Sequence, residues 1–444
     1  MDRDRDEISI AHRPVDLLQQ LIRYDTTNPP GNEAECISYI NTILSKAGIN
    51  TTIFAKDPAR PNVIARIPGR SEASPLLVYA HIDVVTTENQ IWKYPPFEAL
   101  IVDGNIWGRG ALDDKNGAAM SICAILRMKE EGWSPPGDIV LAILCDEERG
   151  GSYGSRFLIE DHPGLFTGVR NAIGETGAFT FYVGKQKFYP IMVAEKQFCR
   201  LSMILRGLAY YATTVVKRGG TAAKAGELLT QLDKGRLPVH VIPIVRQMIE
   251  TFSANMPLPN SLVLRQLLKP VLTDNILGLI GSQGRAMFPL LHNTCAVIGI
   301  SGGEQNITTP AKIVVNVALG LLPGCSLEDA IGEIREMTGA EFEYEVLHNV
   351  EPGPEKPDMG LYDTLCQILR EADPQGVPMP LMLTAPTDAR LYNRLGIQTY
   401  GFQPVKLPPD IQIEQLAHAA DERIPVDALE FGTNAIYKLL QRFC

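Results

Sequence analysis

The chain has 444 residues, of which 45% are hydrophobic and 21% are charged. This length exceeds one ordinary hydrophobic core, so we expect two domains of a globular protein. A net charge of −10 without runs of Lys or Arg argues against nucleic acid or an anionic membrane as a partner. We see no apolar stretch of ~20 residues and no apolar segment near residue 1, so we expect neither a membrane span nor a secretory signal. Eight scattered cysteines without a C-x-x-C pair are typical of reduced thiols, and we expect a cytoplasmic protein.

The first part of the chain alternates between helical and extended patterns. Apolar spacing predicts a first helix over 15–22, which ends before the breaker cluster at 27–31. A second helix is predicted over 116–129, and Asp103-Gly104 is typical of a hairpin turn. Short apolar runs predict buried strands over 62–67, 76–80 and 139–144. This alternation of strands and helices predicts an α/β fold with a mixed, mostly parallel sheet.

The middle of the chain has a different order of elements. Strands are predicted over 201–205, 295–300, 313–319 and 342–347. Helices over 221–232 and after Ser326, which begins a capping-box pattern, give the order β-α-β-β-α-β of a ferredoxin-like α+β domain. A mostly helical insertion is expected at about 238–293. We therefore predict a lid and dimerisation domain at 199–349, inserted into a catalytic domain of residues 1–198 and 350–444.

Acids and histidines follow the predicted strands. His81-Ile82-Asp83 comes at the end of one strand, and Asp146-Glu147-Glu148 comes after another. A Gly-rich turn at 108–115 contains two more acids, Asp113-Asp114. Open α/β sheets place their sites at the carboxyl ends of strands, so we expect these groups to converge. An imidazole with several carboxylates and no cysteine motif is the ligand set of a hydrolytic Zn, Mn or Co site.

These clusters and several others resemble, in order, the M20 family of metallopeptidases and aminoacylases. That family includes acetylornithine and succinyl-diaminopimelate deacylases and carboxypeptidase G. Alone, each motif would more often be structural, but their joint occurrence over nearly the whole chain favours a metal site. The matching segments are 28–31, 81–83, 108–115, 146–148, 174–175, 194–196, 387–390 and 418–423.

The resemblance implies two divalent metal ions per chain, zinc ahead of manganese or cobalt. His81, Asp113 and Glu175 would hold one ion. Asp113, Glu148 and His418 would hold the other, so that Asp113 bridges the pair. Two ions ~3.5–4 Å apart can share a hydroxide and polarise a carbonyl.

Three further expectations come from the same resemblance. Asp83 would accept the second ring N–H of the ligand His81 and fix its tautomer. Glu147 would be the general base that takes the proton of the attacking water and gives it to the leaving nitrogen. The peptide that follows the bridging aspartate would be cis, which here is Asp113–Asp114.

The predicted lid departs from the family at the positions that usually bind substrate. Tyr211 occupies the place of a histidine that polarises the scissile carbonyl, and Ile307 that of an asparagine, with Asn306 displaced by one. Ala318 and Gly320 stand where the family has Asp and Arg. The hydroxyl of Tyr211 would either donate to a carbonyl or oxyanion or only pack in the lid; both readings stay open. The missing Arg and Asn normally clamp a carboxylate.

We therefore predict a metal-dependent hydrolase that cleaves an amide-type C–N bond of a small molecule lacking that carboxylate. The alternatives are an ordinary N-acyl-amino-acid deacylase or dipeptidase, an aromatic aminohydrolase of nitroanthranilate type, and a non-catalytic binding protein. Thr387, Asp388 and Arg390 would bind substrate, or would form only a capped turn and a surface ion pair. A homodimer or higher homo-oligomer through the lid is expected.

Overall fold

The computed structural model describes residues 9–211, 213, 219–303, 307–350 and 356–444. The chain divides into two compact units. The first contains residues 9–193, 358–381 and 387–444, and the second contains the described part of 194–357 together with 382–386. Within the described ranges, no helix combines the length and apolarity needed to cross a membrane.

The described strands belong to three sheets. In chain order they are β1 Thr51–Ala55, β2 Pro61–Ile67, β3 Leu76–His81, β4 Leu100–Val102, β5 Asn105–Trp107, β6 Ile139–Leu144, β7 Asn171–Gly174, β8 Phe181–Val183, β9 Gln186–Glu195, β10 Gln197–Arg206, β11 Thr294–Gly302, β12 Lys312–Leu321, β13 Glu343–Asn349, β14 Gly376–Leu383, β15 Gln398–Gly401 and β16 Arg423–Pro425.

The described α-helices are, in chain order, α1 Pro14–Arg23, α2 Ala34–Lys46, α3 Lys115–Glu131, α4 Ser155–Asp161, α5 Thr221–Lys234, α6 Pro243–Ala254, α7 Asn260–Arg265, α8 Pro270–Leu279, α9 Ser282–Leu291, α10 Leu327–Thr338, α11 Tyr362–Ala372, α12 Ala389–Asn393, α13 Ile413–Leu416 and α14 Val426–Arg442. Short 3-10 helices cover Ile10–His12, Glu147–Arg149, Pro163–Phe166 and Gln266–Leu268.

The large sheet of the first unit is mixed and is parallel at its centre. Its strand order is β1-β2-β6-β3-β7-β15-β9-β14, and β8 pairs with β9. The β6–β3, β3–β7 and β7–β15 pairs are parallel, whereas β1–β2, β2–β6 and β9–β15 are antiparallel. Because the four central strands run in one direction, their carboxyl ends meet at one edge of the sheet. The predicted α/β fold class is confirmed.

The core of this sheet explains the continuous apolar runs in the sequence. Every residue of β3 and β6 is buried. Successive side chains of a strand point to opposite faces. Leu77 and Tyr79 pack with residues of α4 and α12, such as Phe157 and Tyr392, while α3 contacts β3 and packs against α1 and α14. With helices on both faces, no strand residue needs to be polar.

A small antiparallel sheet joins two distant parts of the first unit. Asp103 and Gly104 form the predicted two-residue hairpin turn between β4 and β5, with φ of 50° and 72°. Strand β16 pairs with β5, so that Arg423 lies opposite Trp107. The pairing brings the start of the 108–113 loop next to Glu422.

The second unit has the predicted ferredoxin-like α+β arrangement. Its sheet has the order β11-β12-β10-β13 with every pair antiparallel. One face is apolar and packs with α5 and α10 through residues such as Met203 and Val317. Helices α6 to α9 lie in the predicted insertion. The capping box at the start of α10 is present, with Ser326 Oγ accepting from Asp329 N at 3.1 Å.

Helix α14 depends on a glycine. A Cβ at Gly432 would overlap Met120 Sδ of α3 and the main-chain oxygen of Pro404. The main-chain oxygen cannot move aside as a flexible side chain can. We predict that Gly432→Ala lowers the free energy of unfolding of this unit by about 1–3 kcal/mol in a denaturant titration.

The matched control for this substitution is Gly226→Ala in α5, where nothing lies within 4 Å of the new Cβ. There the change should stabilise its unit by about 0.5–1 kcal/mol, because alanine is the better helix former. Equal effects of the two substitutions would refute the packing argument.

Candidate metal centre

His81 lies at the carboxyl end of β3 with one ring nitrogen already engaged. Its Nδ1 is 3.0 Å from the main-chain oxygen of Asp83 and 3.4 Å from Asp83 Oδ1. Both neighbours are acceptors, so Nδ1 carries the proton and Nε2 is free to bind a cation. The carboxylate of Asp83 itself accepts the main-chain N–H groups of Glu147 and Glu148 at 3.0 and 3.2 Å. Asp83 thereby connects the end of β3 to the turn after β6.

Asp113 presents its two carboxylate oxygens to two histidines. Oδ1 is 3.1 Å from His81 Nε2, and Oδ2 is 3.0 Å from His418 Nε2. Glu175 Oε2 lies 3.6 Å from His81 Nε2, and Glu148 Oε2 lies 3.2 Å from His418 Nε2. The five predicted ligands thus form two groups that share Asp113, each with ligand atoms within 4.8 Å of one another. The Asp113–Asp114 peptide is cis, as the resemblance implies.

The polar atoms of these groups fit divalent cations. Glu148 Oε1 and Glu175 Oε1 are buried and have no hydrogen-bond partner among the described residues. An unpaired buried carboxylate oxygen is costly, and a bound cation would satisfy it. Asp113 and Glu148 accept hydrogen bonds from His418 and raise its pKa to about 10, so the cluster attracts positive charge. Imidazole nitrogens with carboxylate oxygens suit Zn²⁺ and Mn²⁺.

Glu147 lies beside these groups but belongs to neither. Its main-chain N–H is held by Asp83, whereas its carboxylate has no hydrogen-bond partner in the described part of the chain. Burial, and next the negative charge of Glu175, raise the pKa of Glu147 well above its ordinary value. A carboxylate without a hydrogen-bond partner and with a raised pKa is suited to take up a proton.

Two further buried acids, Asp114 and Asp146, accept hydrogen bonds from residues around the proposed ligands. The sequence motifs did not predict this role. Asp114 Oδ2 accepts the main-chain N–H of His81 at 3.1 Å, and Oδ1 accepts from the amide of Gln403. Asp146 Oδ1 accepts from Arg60 at 2.9 Å and from Asn28 at 3.1 Å. Their position next to a predicted ligand or to the predicted general base was the only signal in the sequence. The donors lie far away along the chain and could not be paired with them.

The segment with Thr387, Asp388 and Arg390 lies against the turn after Glu148. A Cβ at Gly151 would be 3.2 Å from Asp388 Oδ1. Asp388 is fully buried and accepts from Ser155 Oγ at 2.6 Å, while its Oδ1 has no partner among the described residues. Burial raises the pKa of Asp388 to about 6. Thr387 Oγ1 accepts the main-chain N–H of Ala389, and Arg390 donates to the carbonyl of Thr387. A capped turn is present, and Asp388 is buried and forms no surface ion pair within the described ranges.

The lid positions lie in the second unit. Tyr211 is 54% exposed and forms an isolated β-bridge with Thr308, and Asn306 lies outside the described residues. Ala318 and Gly320 are on the sheet face that is not covered by α5 and α10. Arg200 is exposed directly opposite Ala318. No hydrogen bond or ion pair involves its guanidinium in the part of the chain that is described. The strand register places Arg200 on the same sheet face as Ala318, and this register could not be predicted from the sequence.

Comparisons with known proteins are consistent with this geometry. Residues 77–442 match the family model "Peptidase family M20/M25/M40". The human N-fatty-acyl-amino acid synthase/hydrolase PM20D1 is 24% identical over 384 residues, which are 83% of this chain and 74% of that protein. The N-formyl-4-amino-5-aminomethyl-2-methylpyrimidine deformylase of Halalkalibacterium halodurans is 34% identical over 154 residues, 34% of this chain and 35% of that protein. The solved structure of the Bacillus subtilis YXEP protein, described as a dinuclear metal-binding peptidase of the M20 family, has a TM-score of 0.61 at 14% identity and covers 97% of both chains.

The shared position of Asp113 gives a prediction about metal content. Asp113→Ala should lose both ions, because its two oxygens serve both groups, whereas Glu175→Ala should weaken mainly one. Elemental analysis of the dialysed protein measures ions per chain. Asp161→Ala, which removes an exposed carboxylate of the same unit, is the control. An Asp113→Ala protein that still holds two ions would defeat the bridging assignment.

Proposed function

This chain belongs to peptidase family M20/M25/M40, a family of metallohydrolases that act on amide bonds. We propose that it uses two divalent metal ions to cleave an amide-type C–N bond in a small molecule. The proposal depends on one observation, the Asp113 carboxylate that faces His81 with one oxygen and His418 with the other. We propose zinc at both positions, with manganese or cobalt as alternatives. We also propose that the enzyme works in the cytoplasm as a homo-oligomer.

In the proposed mechanism, the residues of the first unit hold the metals and move one proton. His81, Asp113 and Glu175 would hold one ion, and Asp113, Glu148 and His418 the other. When bound, the ions would polarise the scissile carbonyl and lower the pKa of an attacking water.

Glu147 takes the proton of the attacking water on its carboxylate and gives it to the leaving nitrogen. Asp83 contributes by accepting the main-chain N–H of Glu147, which fixes the turn that carries this carboxylate. The absence of any hydrogen-bond partner for that carboxylate among the described residues leaves it available for the proton.

The role of Glu147 leads to a test that separates proton transfer from metal binding. Glu147→Ala should reduce kcat by ~10²–10⁴-fold or more while the metal content stays near that of the unchanged protein, since Glu147 does not ligate. Glu148→Ala is the matched neighbour and should lose metal together with activity. A Glu147→Ala protein that loses metal in proportion to activity would mean that the two roles are exchanged.

We propose that the substrate lacks the carboxylate that the family clamp usually holds. Ala318 and Gly320 offer no donor on the open sheet face of the second unit. The name of the similar deformylase describes a formyl group on an aminopyrimidine, a substrate without a carboxylate. A formylated or acylated amine of an aromatic compound fits a site that has Gly320 in place of the Arg and Ile307 in place of the Asn.

A second candidate is an N-acyl-amino-acid hydrolase, and Arg200 favours it. This residue lies on the same open face, opposite Ala318 on one side and His348 on the other, and its guanidinium is unpaired in the described residues. Arg206, the other arginine of β10 on that face, already forms an ion pair with Glu343 at 2.9 Å. The similar human enzyme is named for N-fatty-acyl amino acids, which carry a carboxylate.

A matched pair of substrates distinguishes the two candidates. We predict that an N-acyl amino acid has a kcat/KM on the order of 10²-fold lower than its C-terminal amide, because a desolvated Arg–carboxylate pair contributes ~2–4 kcal/mol and the usual clamp is missing. Arg200→Gln should then change neither value. A preference for the free acid that disappears in Arg200→Gln would establish the second candidate instead.

A further inference from the structure

We infer that Glu422, Arg109 and Gln90 form a hydrogen-bonded chain that holds Asp113 and His418 in fixed positions relative to each other, and that these three are positioning residues for one metal group. The inference rests on the proposed function, because Asp113 and His418 are the proposed ligands. None of the three side chains contacts a ligand atom of the two groups. Glu422 and Gln90 contact the main chain of the two ligand loops, and Arg109 connects their side chains.

The first link is the Glu422 carboxylate, which is fully buried under the 108–113 loop. This loop has no regular secondary structure, so its main-chain N–H groups need other acceptors. Oε1 accepts from the N–H of Leu112 at 2.7 Å and of Asp113 at 3.1 Å. Oε2 accepts from the N–H of Gly110 at 3.2 Å. One carboxylate therefore determines the course of the main chain up to the bridging aspartate.

The second link is Arg109, which is buried within the same loop. Its Nη1 donates to Glu422 Oε2 at 2.6 Å, and its Nη2 donates to Gln90 Oε1 at 2.9 Å. The guanidinium also lies 5.1 Å from the ring centroid of Trp92. A planar guanidinium with two directional contacts has little freedom to move. It therefore connects the 108–113 loop rigidly to the loop that carries Gln90.

The third link is the side-chain amide of Gln90, whose Nε2 donates to the main-chain oxygen of His418 at 3.0 Å. An arginine can only donate and a carbonyl can only accept, so the two contacts fix which end of the amide faces which partner. His418 has a φ of 62°, a left-handed conformation that histidine seldom adopts without support. The hydrogen bond from Gln90 supplies part of that support.

The chain of contacts closes on itself, because Glu422 follows His418 by one short turn and β16 then pairs with β5. The main-chain oxygen of Glu422 also accepts the N–H of Gly108 at 3.0 Å. The result is a closed circuit that holds Asp113 Oδ2 and His418 Nε2 3.0 Å apart. His81, in contrast, is fixed by β3, Asp83 and Asp114. Asp113 belongs to both metal groups, but His418 belongs to one, so the contact of Gln90 with His418 acts on one metal group only.

The test uses the full chain and Gln90→Ala, since Gln90 is only half-buried and its loss should leave the fold intact. After removal of bound metal, Co²⁺ is titrated and followed by its visible absorption, which resolves two binding steps. We expect Gln90→Ala to weaken one step by ~10–100-fold and to leave the other unchanged, as is typical of residues that orient a ligand. Gln90→Glu keeps the acceptor for Arg109 but loses the donor to His418, and should weaken the same step.

Thr86→Ala is the control from the same loop, because the Thr86 hydroxyl forms one hydrogen bond among the described residues, accepting the N–H of Glu88 at 3.1 Å. The melting temperature of the metal-free protein is measured for each variant and should not change. Equal weakening of both steps, or a lower melting temperature without metal, would indicate a structural role and overturn the inference. Two unchanged steps in Gln90→Ala would also overturn it. If the unsubstituted protein does not bind two Co²⁺ ions, the proposed function fails instead.

Discussion

The burial of many carboxylates at one edge of the central sheet is the constraint on which the rest of the site depends. Like charges repel, and a buried carboxylate is costly unless donors or a cation compensate it. Most of these acids are compensated within the chain, as Asp83 is by main-chain N–H groups and Asn28, and Asp146 by Arg60. Glu148 and Glu175 each keep a buried oxygen without a donor in the described residues. In and around the two candidate metal groups, the hydrogen bonds therefore distinguish acids that donors compensate from acids that we propose to bind a cation.

The parallel centre of the sheet explains why part of this arrangement could be predicted from the sequence. Strands β6, β3 and β7 are neighbours, so the residues that follow them must lie side by side. The apolar runs predicted the bounds of β3 and β6 to within one residue. The predicted strand ends therefore located His81 and Glu148 at the same edge of the sheet. Asp113 and His418 lie on loops whose course is set by hydrogen bonds. The resemblance to a family indicated these two residues, and strand patterns alone would not have done so.

Other elements could not be predicted from the sequence because they contain residues that usually interrupt regular structure. Strand β14 contains Pro378 and Pro380, which are tolerated because β14 is at the end of the sheet order. Helix α14 contains Gly432, which weakens a helical pattern but is required where Met120 and Pro404 approach. The contact of Gln90 with His418 spans 328 positions and has no local pattern at all. Such features depend on tertiary packing and could not be inferred from spacing.

The division of the chain into two units also separates the residues that we propose to bind metal from those that we propose to bind substrate. The five proposed metal ligands, Glu147 and the residues that support them all belong to the first unit, whereas Tyr211, Arg200 and Gly320 belong to the second. Substitutions in the second unit therefore leave unaltered the hydrogen bonds that hold the proposed ligands, since the described partners in those bonds belong to the first unit. In the second unit, Gly320 stands where the resemblance places an arginine, and Arg200 lies on the adjacent strand opposite Ala318. We propose that the preference of this chain for one amide over another depends on these positions.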